Sequence, residues 1–400
     1  MKILFLSLIN IKSIEEKGIY TDLIRQFVNG GHQIYVVTPF EKKLKKQTQY
    51  VIENDVHFLK VRIGNITQNN IIEKGISTLM IEGQYLKAIE KYFKDVKFDF
   101  IIYSTPPITF EKVIRYIKKR DNAKSYLLLK DIFPQNAVDL NMFHNKGLFY
   151  KYFRRKEERL YKISDFIGCM SQANVDFILK HNPNIDPLKV EICPNGIEIL
   201  SIENDKSRLK EIIKKHNIPT DKTKFIYGGN IGKPQGIDFL IQCLKSNKNN
   251  DCVFFIIAGS GTEFKKLHHY FEREKPINAK LIEELPREEY ELLVDCCDVG
   301  LIFLDHRFTI PNFPSRLLSY MKASMPVLAA TDIHTDIGRV IEQGEFGLWC
   351  ESKNVEQFNE KLKQLENPEL RDKMGGNARL YLENYYTAKH SYEIITSHFK

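Results

Sequence analysis

A glycine-rich segment with a single lysine is the first feature of the sequence that could bind an anion. Residues 227–236 (YGGNIGKPQG) contain Gly229, Asn230, Gly232 and Lys233 and directly follow a predicted strand. Glycines let the backbone approach a ligand closely, a lysine can reach an oxyanion, and the helix predicted to follow offers its N-terminal amides. The segment is therefore either a phosphate-binding turn or an ordinary strand-to-helix turn.

A second candidate anion site is segment 309–321 (TIPNFPSRLLSYM), which follows another predicted strand. Pro314 ends one stretch of chain, Ser315 can cap the helix predicted to follow, and Arg316 stands in the first turn of that helix. Two or three charge-assisted contacts of about 1.5–3 kcal/mol each would hold a diphosphate there and stabilise it as it departs. The alternative is a capped helix with a surface arginine.

Other candidate residues follow predicted strands singly. Gly259 and Leu285 come after two strands of the second half, where parallel sheets bind nucleosides, or they belong to plain turns. Asp131 follows a strand of the first half, where its carboxylate could orient or deprotonate a hydroxyl, or could cap a helix. Gly18 comes after the first strand, where it permits a close backbone approach to a ligand or simply starts a helix.

A basic and aromatic segment in the first half is typical of helices that bind an anionic membrane surface. Residues 146–156 contain Phe149, Tyr152, Arg154 and Arg155. Each cation near such a surface contributes about 1 kcal/mol, and the aromatic side chains suit the interface. The alternative is a buried aromatic helix with a basic outer edge.

The distribution of charge favours an anionic partner for the first half of the chain. Of the net charge of +8, residues 1–200 carry +9 and residues 201–400 carry −1. This asymmetry favours a membrane surface or a nucleic acid, although a solvated basic face would give the same pattern. No nucleic-acid motif accompanies the basic segment, so we expect no nucleic-acid partner.

Short apolar runs alternate with helical patterns along the 400 residues, which predicts parallel sheets covered by helices on both faces. The sequence predicts two such α/β domains, residues 1–197 and 198–384, and a helix in residues 385–400 that can pack back on the first domain. The cleft between the domains is the expected ligand site. The predicted strands lie near residues 2–8, 33–38, 57–61, 99–104, 125–129, 165–171, 189–193, 224–229, 253–258, 279–282, 298–304, 326–330 and 347–350.

Several absent patterns exclude other classes of protein. The longest apolar run, Val253–Ala258, is six residues long, whereas a membrane-spanning helix needs roughly 20. There is no G-x-G-x-x-G after the first strand, no P-loop, no H-E-x-x-H and no D-x-D, so a bound diphosphate would meet protein cations and no metal ion. Seven cysteines without a C-x-x-C pair fit a reducing cytosol.

In order and spacing, these motifs resemble the retaining glycosyltransferases of family four, whose GT-B fold has two Rossmann-like doubly wound domains facing across a cleft. The block Pro314–Met321 is similar to the branch of that family that builds bacterial capsule and O-antigen, and within it to the transferases of N-acetyl-L-fucosamine. The segments that occur in the family's order are Gly31-His32 and residues 131–136, 194–196, 229–236, 259–261, 298–301 and 311–330.

The resemblance implies roles for individual residues. Lys233 and Arg316 would stabilise the departing diphosphate, and Leu285 would lie near the base. The family usually has two glutamates in segment 309–321, and here Pro311 replaces the one that contacts the donor sugar, while Ser319 replaces the one that contacts the ribose and can still hydrogen-bond a hydroxyl. The implied donor-binding residues are Gly18, Gly229, Asn230, Gly232, Gly259, Leu285, Asn312, Phe313, Pro314, Ser315 and Ser319.

The resemblance further implies a retaining transfer of a sugar from a UDP-sugar to a saccharide linked to undecaprenyl diphosphate, in capsule or O-antigen synthesis. The protein would act in the cytoplasm, peripherally on the inner face of the cell membrane, without a metal ion or other cofactor. Asp131 would position the acceptor. Two alternatives stay open: a UDP-sugar 2-epimerase of the same fold, and a catalytically silent GT-B binding protein.

Overall fold

The chain forms two compact units. In the computed structural model these are Met1–Glu198 together with Ala388–Lys400, and Ile199–Thr387. The predicted boundaries at residues 197 and 384 lie one and three residues from the observed ones. The structure describes residues 1–66, 71–142, 144–199 and 206–399.

The first unit is built on a sheet of eight strands in the order β3-β4-β2-β1-β5-β6-β7-β8, and every neighbouring pair except β3–β4 is parallel. Strands β1, β5 and β6 are apolar and almost wholly buried, as expected where helices cover both faces of a parallel sheet. The strands are β1 (Lys2–Leu6), β2 (Gln33–Glu41), β3 (Gln49–Glu53), β4 (Val56–Ile63), β5 (Phe100–Ser104), β6 (Lys124–Leu129), β7 (Phe166–Cys169) and β8 (Val190–Ile192). The helices are α1 (Ile19–Asn29), α2 (Ile71–Tyr92), α3 (Glu111–Asp121), α4 (Gln135–Asp139), α5 (Leu148–Ile163), α6 (Gln172–His181) and, from the end of the chain, α15 (Ala388–Thr396).

Strand β3 is missing from the predicted set. It pairs antiparallel with β4 and is joined to it by Asn54 and Asp55, whose φ angles are 47° and 62°. Two consecutive residues with positive φ are the signature of a two-residue β-hairpin, and Asn and Asp adopt this conformation readily. β3 lies at the edge of the sheet and is largely exposed, so it lacks the continuous apolar run on which the prediction relied.

The last helix of the chain packs on the first helix of the first unit. Helix α1 buries Leu23, Ile24 and Phe27 along one stripe. The ring of Tyr392 in α15 meets the ring of Phe27 edge-on, with centroids 5.0 Å apart, and the Ser391 hydroxyl donates a hydrogen bond to the backbone carbonyl of Pro194 at 2.9 Å. The end of the chain is therefore part of the core of the first unit.

The second unit is built on an all-parallel sheet of six strands in the order β11-β10-β9-β12-β13-β14. The chain reverses its direction of progress across the sheet between β9 and β12, and parallel sheets bind ligands beyond the carboxyl ends of their strands at such a point. The strands are β9 (Thr223–Asn230), β10 (Val253–Ser260), β11 (Ala279–Ile282), β12 (Val299–Phe303), β13 (Val327–Thr331) and β14 (Gly347–Glu351). The helices are α7 (Lys206–Lys215), α8 (Ile237–Ser246), α9 (Phe264–Glu274), α10 (Arg287–Asp295), α11 (Arg316–Lys322), α12 (Ile337–Gln343), α13 (Val355–Gln364) and α14 (Pro368–Tyr385).

The carboxyl ends of β9 and β10 meet backbone to backbone. Gly229 and Gly259 are register partners, and their φ angles are 111° and 150°, a range that favours glycine. A Cβ atom on Gly259 would lie only 1.8 Å from the carbonyl oxygen of Gly229. Only glycine fits at position 259, and the pair leaves bare backbone at the two strand ends.

Candidate functional site

A cavity of about 650 Å³ opens at the carboxyl ends of β9 and β10 and beside the segment that follows β11. Four of the predicted donor-binding residues line it: Gly229, Asn230, Gly259 and Leu285. We call it the strand-end cavity. Its position at the strand ends of a parallel sheet makes it the candidate nucleotide site of the second unit. The remaining lining residues are Ala258, Ser260, Glu284, Pro286, Arg287 and Tyr290.

Arg316, the first residue of α11, lies next to the Gly229 backbone that lines this cavity. A Cβ atom on Gly229 would be 3.8 Å from Nη2 of Arg316. The guanidinium carbon lies 4.2 Å from the centroid of the Tyr227 ring, a separation typical of a cation–π contact. The Tyr227 ring therefore holds Arg316 against the glycine-rich end of β9.

The positive charge of Arg316 faces tyrosines and no carboxylate among the residues that the structure describes. The groups that act on it electrostatically are Tyr227, Tyr290 and Tyr320. Burial raises the pKa of Tyr290 to about 12 and that of the other two tyrosines as well, so all three are neutral at physiological pH. Nη1 is buried and has no hydrogen-bond partner in the described parts of the chain. A buried cationic donor without a partner is unfavourable, so this arrangement favours binding of an anion.

The sequence does not reveal that these three tyrosines surround Arg316, because Tyr227, Tyr290 and Tyr320 lie in three separate elements, β9, α10 and α11. Nothing in their spacing relates them. The only trace in the sequence is the glycines that make room for them. A Cβ atom on Gly228 would lie 2.0 Å from the Tyr290 hydroxyl, and one on Gly300 would lie 2.3 Å from the Tyr320 ring.

The predicted phosphate-binding turn is preorganised by Gln235, a residue that had no assigned role. Its side-chain oxygen accepts hydrogen bonds from the Gly232 amide and from Nδ2 of Asn230, both at 3.1 Å. The Gly232 amide is therefore already occupied within the turn. Lys233 is exposed to solvent, so its ammonium group is accessible to a ligand.

The structure corrects the predicted cap of α11. Ser315 has helical backbone angles, φ −65° and ψ −15°, and makes no side-chain capping hydrogen bond. A capping side chain needs an extended backbone at the cap position to reach the amides of the first turn. The amides of Leu317 and Leu318 instead donate to the carbonyls of Pro314 and Ser315 at 3.2 and 3.1 Å. The Ser315 side chain therefore does not cap α11, and Arg316 stays a candidate for binding an anion at this helix start.

Asn312 and Phe313, two of the other predicted residues of segment 309–321, contact neighbours in the second unit. The Thr335 hydroxyl donates to the backbone carbonyl of Asn312, and the Phe313 ring lies 6.0 Å, centroid to centroid, from the ring of Tyr386. Ser319 is exposed on α11. These contacts fix Asn312 and Phe313 within the second unit. The donor-binding roles of Asn312, Phe313, Pro314, Ser315 and Ser319 stay predictions.

Asp131 lies just after β6 in the first unit, where Asn136 clamps its carboxylate. Nδ2 of Asn136 donates to the two carboxylate oxygens at 2.9 and 3.0 Å, and the Asp131 amide donates to the Thr105 hydroxyl at 3.1 Å. Burial raises the pKa of Asp131 to about 6, against the effect of the Asn136 hydrogen bonds. The N-cap of α4 is Pro134, so Asp131 does not cap that helix. Its carboxylate can accept a hydrogen bond from a substrate hydroxyl at neutral pH.

The backbone conformation of Gly18 does not itself require glycine. Its φ is 170°, an extended conformation that any residue adopts. Its amide donates to the Asp22 side chain at 3.0 Å, and its carbonyl accepts from the Asp22 amide at the start of α1. Gly18 is therefore bound into the start of a helix, and its role in donor binding stays a prediction.

Helix α5 presents three predicted membrane-binding residues to solvent. Phe149 is 74% exposed and Tyr152 is 44% exposed, and Arg155 is exposed as well. Leu148 at the start of the helix, which was not predicted, is 84% exposed. We call Leu148, Phe149, Tyr152 and Arg155 the α5 surface.

The structure corrects the prediction for Arg154. Its guanidinium forms an ion pair with Glu157 at 2.6 Å and donates to the Asn182 side chain and to the His181 carbonyl. Because its donors are used within the protein, Arg154 ties α5 to the end of α6 and is not an interfacial cation.

Two further absences concern the described residues alone. In those residues no three His, Cys, Asp or Glu side chains are grouped so that they could hold a metal ion. Within the same residues no helix combines the length and the apolar character needed to cross a bilayer.

Comparison with known proteins supports the fold and the class of the second unit. Residues 209–381 match the family described as "Glycosyl transferases group 1". The chain is 22% identical over 325 residues to the probable glycosyltransferase WbjE of Pseudomonas aeruginosa, a match that covers 80% of this chain and 78% of that protein. The family match therefore lies within the second unit.

The solved structures show the fold. The crystal structure of Anabaena Alr3699/HepE in complex with UDP has a TM-score of 0.71 at 15% identity, covering 100% of this chain and 99% of that chain. The structure of WaaG, a glycosyltransferase involved in lipopolysaccharide biosynthesis, has a TM-score of 0.66 at 16% identity, covering 98% and 99%. The predicted class, GT-B with two Rossmann-like α/β domains, is confirmed.

Proposed function

We propose that this protein is a retaining glycosyltransferase that moves a sugar from a UDP-sugar to a lipid-linked saccharide. The observation that carries the proposal is the guanidinium of Arg316, whose Nη1 is buried without a partner among the described residues beside the strand-end cavity. A nucleoside diphosphate supplies the anion that this cation lacks. The match of residues 209–381 to group 1 glycosyl transferases supports the same conclusion.

The leaving diphosphate is stabilised by cations of the protein. Arg316 is positioned by its contact with the Tyr227 ring, so it needs little reorganisation as charge develops on the departing phosphate. Lys233 is free in solvent to move onto the second phosphate. In a retaining transfer without an enzymic nucleophile, the acceptor hydroxyl attacks from the face that the diphosphate leaves. These two cations would then stabilise the transition state without a metal ion.

The acceptor hydroxyl is positioned by Asp131 in this proposal. Its carboxylate is clamped by Asn136, and burial raises its pKa to about 6. Above that pH the ionised group accepts a hydrogen bond and fixes the direction of the hydroxyl. Asp131 is then a binding and orienting group, and the departing phosphate takes the hydroxyl proton.

A lipid-linked acceptor is favoured by the α5 surface and by the relatives. Three exposed apolar or aromatic side chains lie with a cation on one helix of the basic half of the chain, a pattern that suits the surface of an anionic membrane. WaaG is described as involved in lipopolysaccharide biosynthesis. We place the protein on the inner face of the cell membrane, in capsule or O-antigen synthesis, with N-acetyl-L-fucosamine as the first sugar to test.

The proposal is tested by nucleotide binding and product analysis. A thermal-shift screen with UDP, GDP and dTDP and their sugars should show stabilisation by UDP, because a ligand that binds only the folded state raises its stability. Chelation of divalent ions should leave this shift unchanged. Incubation with the donor alone should give no 2-epimer, which separates a transferase from an epimerase. A protein that no nucleotide stabilises would be the silent binding protein, and the proposal would fail.

A further inference from the structure

The strand-end cavity has opposite charges on its two sides. Arg316 adjoins it at Gly229, at the end of β9. Glu284 lines it from the segment that follows β11, and Arg287, which lines it on the same side, is ion-paired with Glu291 at 2.8 Å. Because β9 and β11 are separated by one strand, β10, the two sides lie about 10 Å apart, twice the spacing of neighbouring strands. A ligand that bridges this distance meets a cation at one end and a carboxylate at the other.

Glu284 is oriented within the cavity by a single hydrogen bond. The Ser260 hydroxyl at the end of β10 donates to Oε2 of Glu284 at 3.0 Å. No ion pair of Glu284 is found among the described residues, and the side chain is exposed to the cavity. One carboxylate oxygen is therefore held by Ser260, and the other is able to accept a hydrogen bond from a ligand.

The opposite charges on the two sides of the strand-end cavity determine the orientation of a bound nucleotide. The diphosphate is attracted to Arg316 and repelled by Glu284, so the uncharged nucleoside must occupy the Glu284 side. A carboxylate at the end of a parallel strand accepts hydrogen bonds well from the vicinal hydroxyls of a ribose, as in dinucleotide-binding sheets.

We infer that Glu284, positioned by Ser260, accepts a hydrogen bond from the ribose 2′-hydroxyl of the donor nucleotide and makes the site selective for ribonucleotides. The inference deepens the proposed function and rests on it, because it requires the nucleotide to occupy the strand-end cavity. It excludes deoxythymidine diphosphate sugars as the donor class, since they lack that hydroxyl.

The test compares ribonucleotides with deoxyribonucleotides by calorimetry. The pairs are UDP with 2′-deoxy-UDP and GDP with 2′-deoxy-GDP, so that the answer does not depend on the base. For the wild-type protein the deoxy form should bind about tenfold more weakly, as expected for loss of a hydrogen bond to a charged acceptor. In Glu284→Ala this ratio should fall to about one. Ser260→Ala should give an intermediate ratio, because the carboxylate stays but loses its orientation.

The matched control is Glu283→Ala. It removes the same charge one residue earlier, from a side chain that is exposed and does not line the cavity. Removing a negative charge near an anionic ligand can change the affinity for every nucleotide, and this variant shows the same general change. Its ratio of ribonucleotide to deoxyribonucleotide affinity should stay at about ten.

The outcomes separate the two proposals. If UDP binds, Arg316→Ala abolishes the binding, and Glu284→Ala leaves the ribose preference unchanged, the inference fails and the proposed function stands. If Glu284→Ala weakens GDP and 2′-deoxy-GDP equally, the carboxylate contacts the base and the inference also fails. If no nucleotide binds to the wild-type protein, both proposals fail.

Discussion

Nδ2 of Asn136 lies 2.9 and 3.0 Å from the two carboxylate oxygens of Asp131, so one amide group holds both. The amide oxygen of Asn136 is buried without a hydrogen-bond partner among the described residues. Among those residues, Asp131 is therefore the hydrogen-bond partner of the Asn136 side chain. The clamp opposes the effect of burial, which raises the pKa of Asp131 to about 6. Asn136 therefore keeps this carboxylate ionised near neutral pH.

Removing the clamp should shift the pH dependence of the reaction. In Asn136→Leu the hydrogen bonds that lower the pKa of Asp131 are lost, so this pKa should rise above about 6. The acid limb of the pH profile of kcat/KM should move to higher pH, with a smaller change at pH 9, where the carboxylate is ionised in both proteins. A uniform loss of activity at every pH would show that Asn136 has only a structural role.

The raised pKa of Asp131 also predicts a dependence of stability on pH. Because its folded-state pKa of about 6 lies above the ordinary value of 3.8 for an aspartate, the charged group lowers stability above pH 6, and this cost disappears as the pH falls towards 4. Asp131→Asn should raise the free energy of unfolding by about 3 kcal/mol at pH 8 and hardly at all at pH 4. Urea unfolding at the two pH values measures this, and equal effects at both would contradict the assignment.

Arg316 should be needed for the reaction, and it should lower the free energy of unfolding of the nucleotide-free protein. Arg316→Ala should lower turnover by about 10²–10³, as for loss of one donor to a developing oxyanion. Arg316→Met should abolish stabilisation by UDP and raise the free energy of unfolding of the nucleotide-free protein by about 1 kcal/mol, because it removes Nη1, a buried donor with no hydrogen-bond partner among the described residues. Lys373→Ala, which removes an exposed cation paired with Glu345, is the control for charge. UDP binding retained in both Arg316 variants would contradict the proposed site.

Two glycine substitutions should have opposite effects. Gly259→Ala places a Cβ atom 1.8 Å from the carbonyl oxygen of Gly229, so it should separate the ends of β9 and β10, lower the free energy of unfolding by about 3 kcal/mol and abolish nucleotide binding. Gly376→Ala in α14 meets no atom within 4 Å and should raise the free energy of unfolding by about 0.5–1 kcal/mol. Urea unfolding and calorimetry with UDP measure both variants. Normal UDP binding by Gly259→Ala would contradict the close contact.

The α5 surface should bind vesicles that contain anionic lipid. Phe149→Asp should weaken binding to phosphatidylglycerol vesicles about tenfold, because the variant loses apolar burial and adds a repulsive charge. Leu188→Asp is the matched control, since Leu188 is an equally exposed apolar residue, 89% accessible, outside the α5 surface. Flotation assays compare the two variants. Equal losses would show that the α5 surface has no special role.

Most strands and the glycine-rich strand ends could be predicted from the amino-acid sequence. Apolar runs such as Val253–Ala258 are local patterns, and strand β10 follows directly from that run. The glycine at position 259 is equally local, because its backbone conformation excludes a side chain. Strand β3 was the exception, since an exposed edge strand lacks the apolar run and shows itself only through its Asn54-Asp55 turn.

The contacts of each polar group in the candidate site could not be predicted from the sequence, because they depend on the folded structure. The sequence identified Arg316, but its tyrosine neighbours come from three separate elements, and only folding brings them together. The sequence suggested a cap at Ser315, but the backbone angles there prevent it. Arg154 was expected at a membrane, and packing of α5 against the end of α6 uses its donors instead. Local patterns fix which residues form an element, whereas hydrogen-bond partners and burial depend on residues distant in the chain.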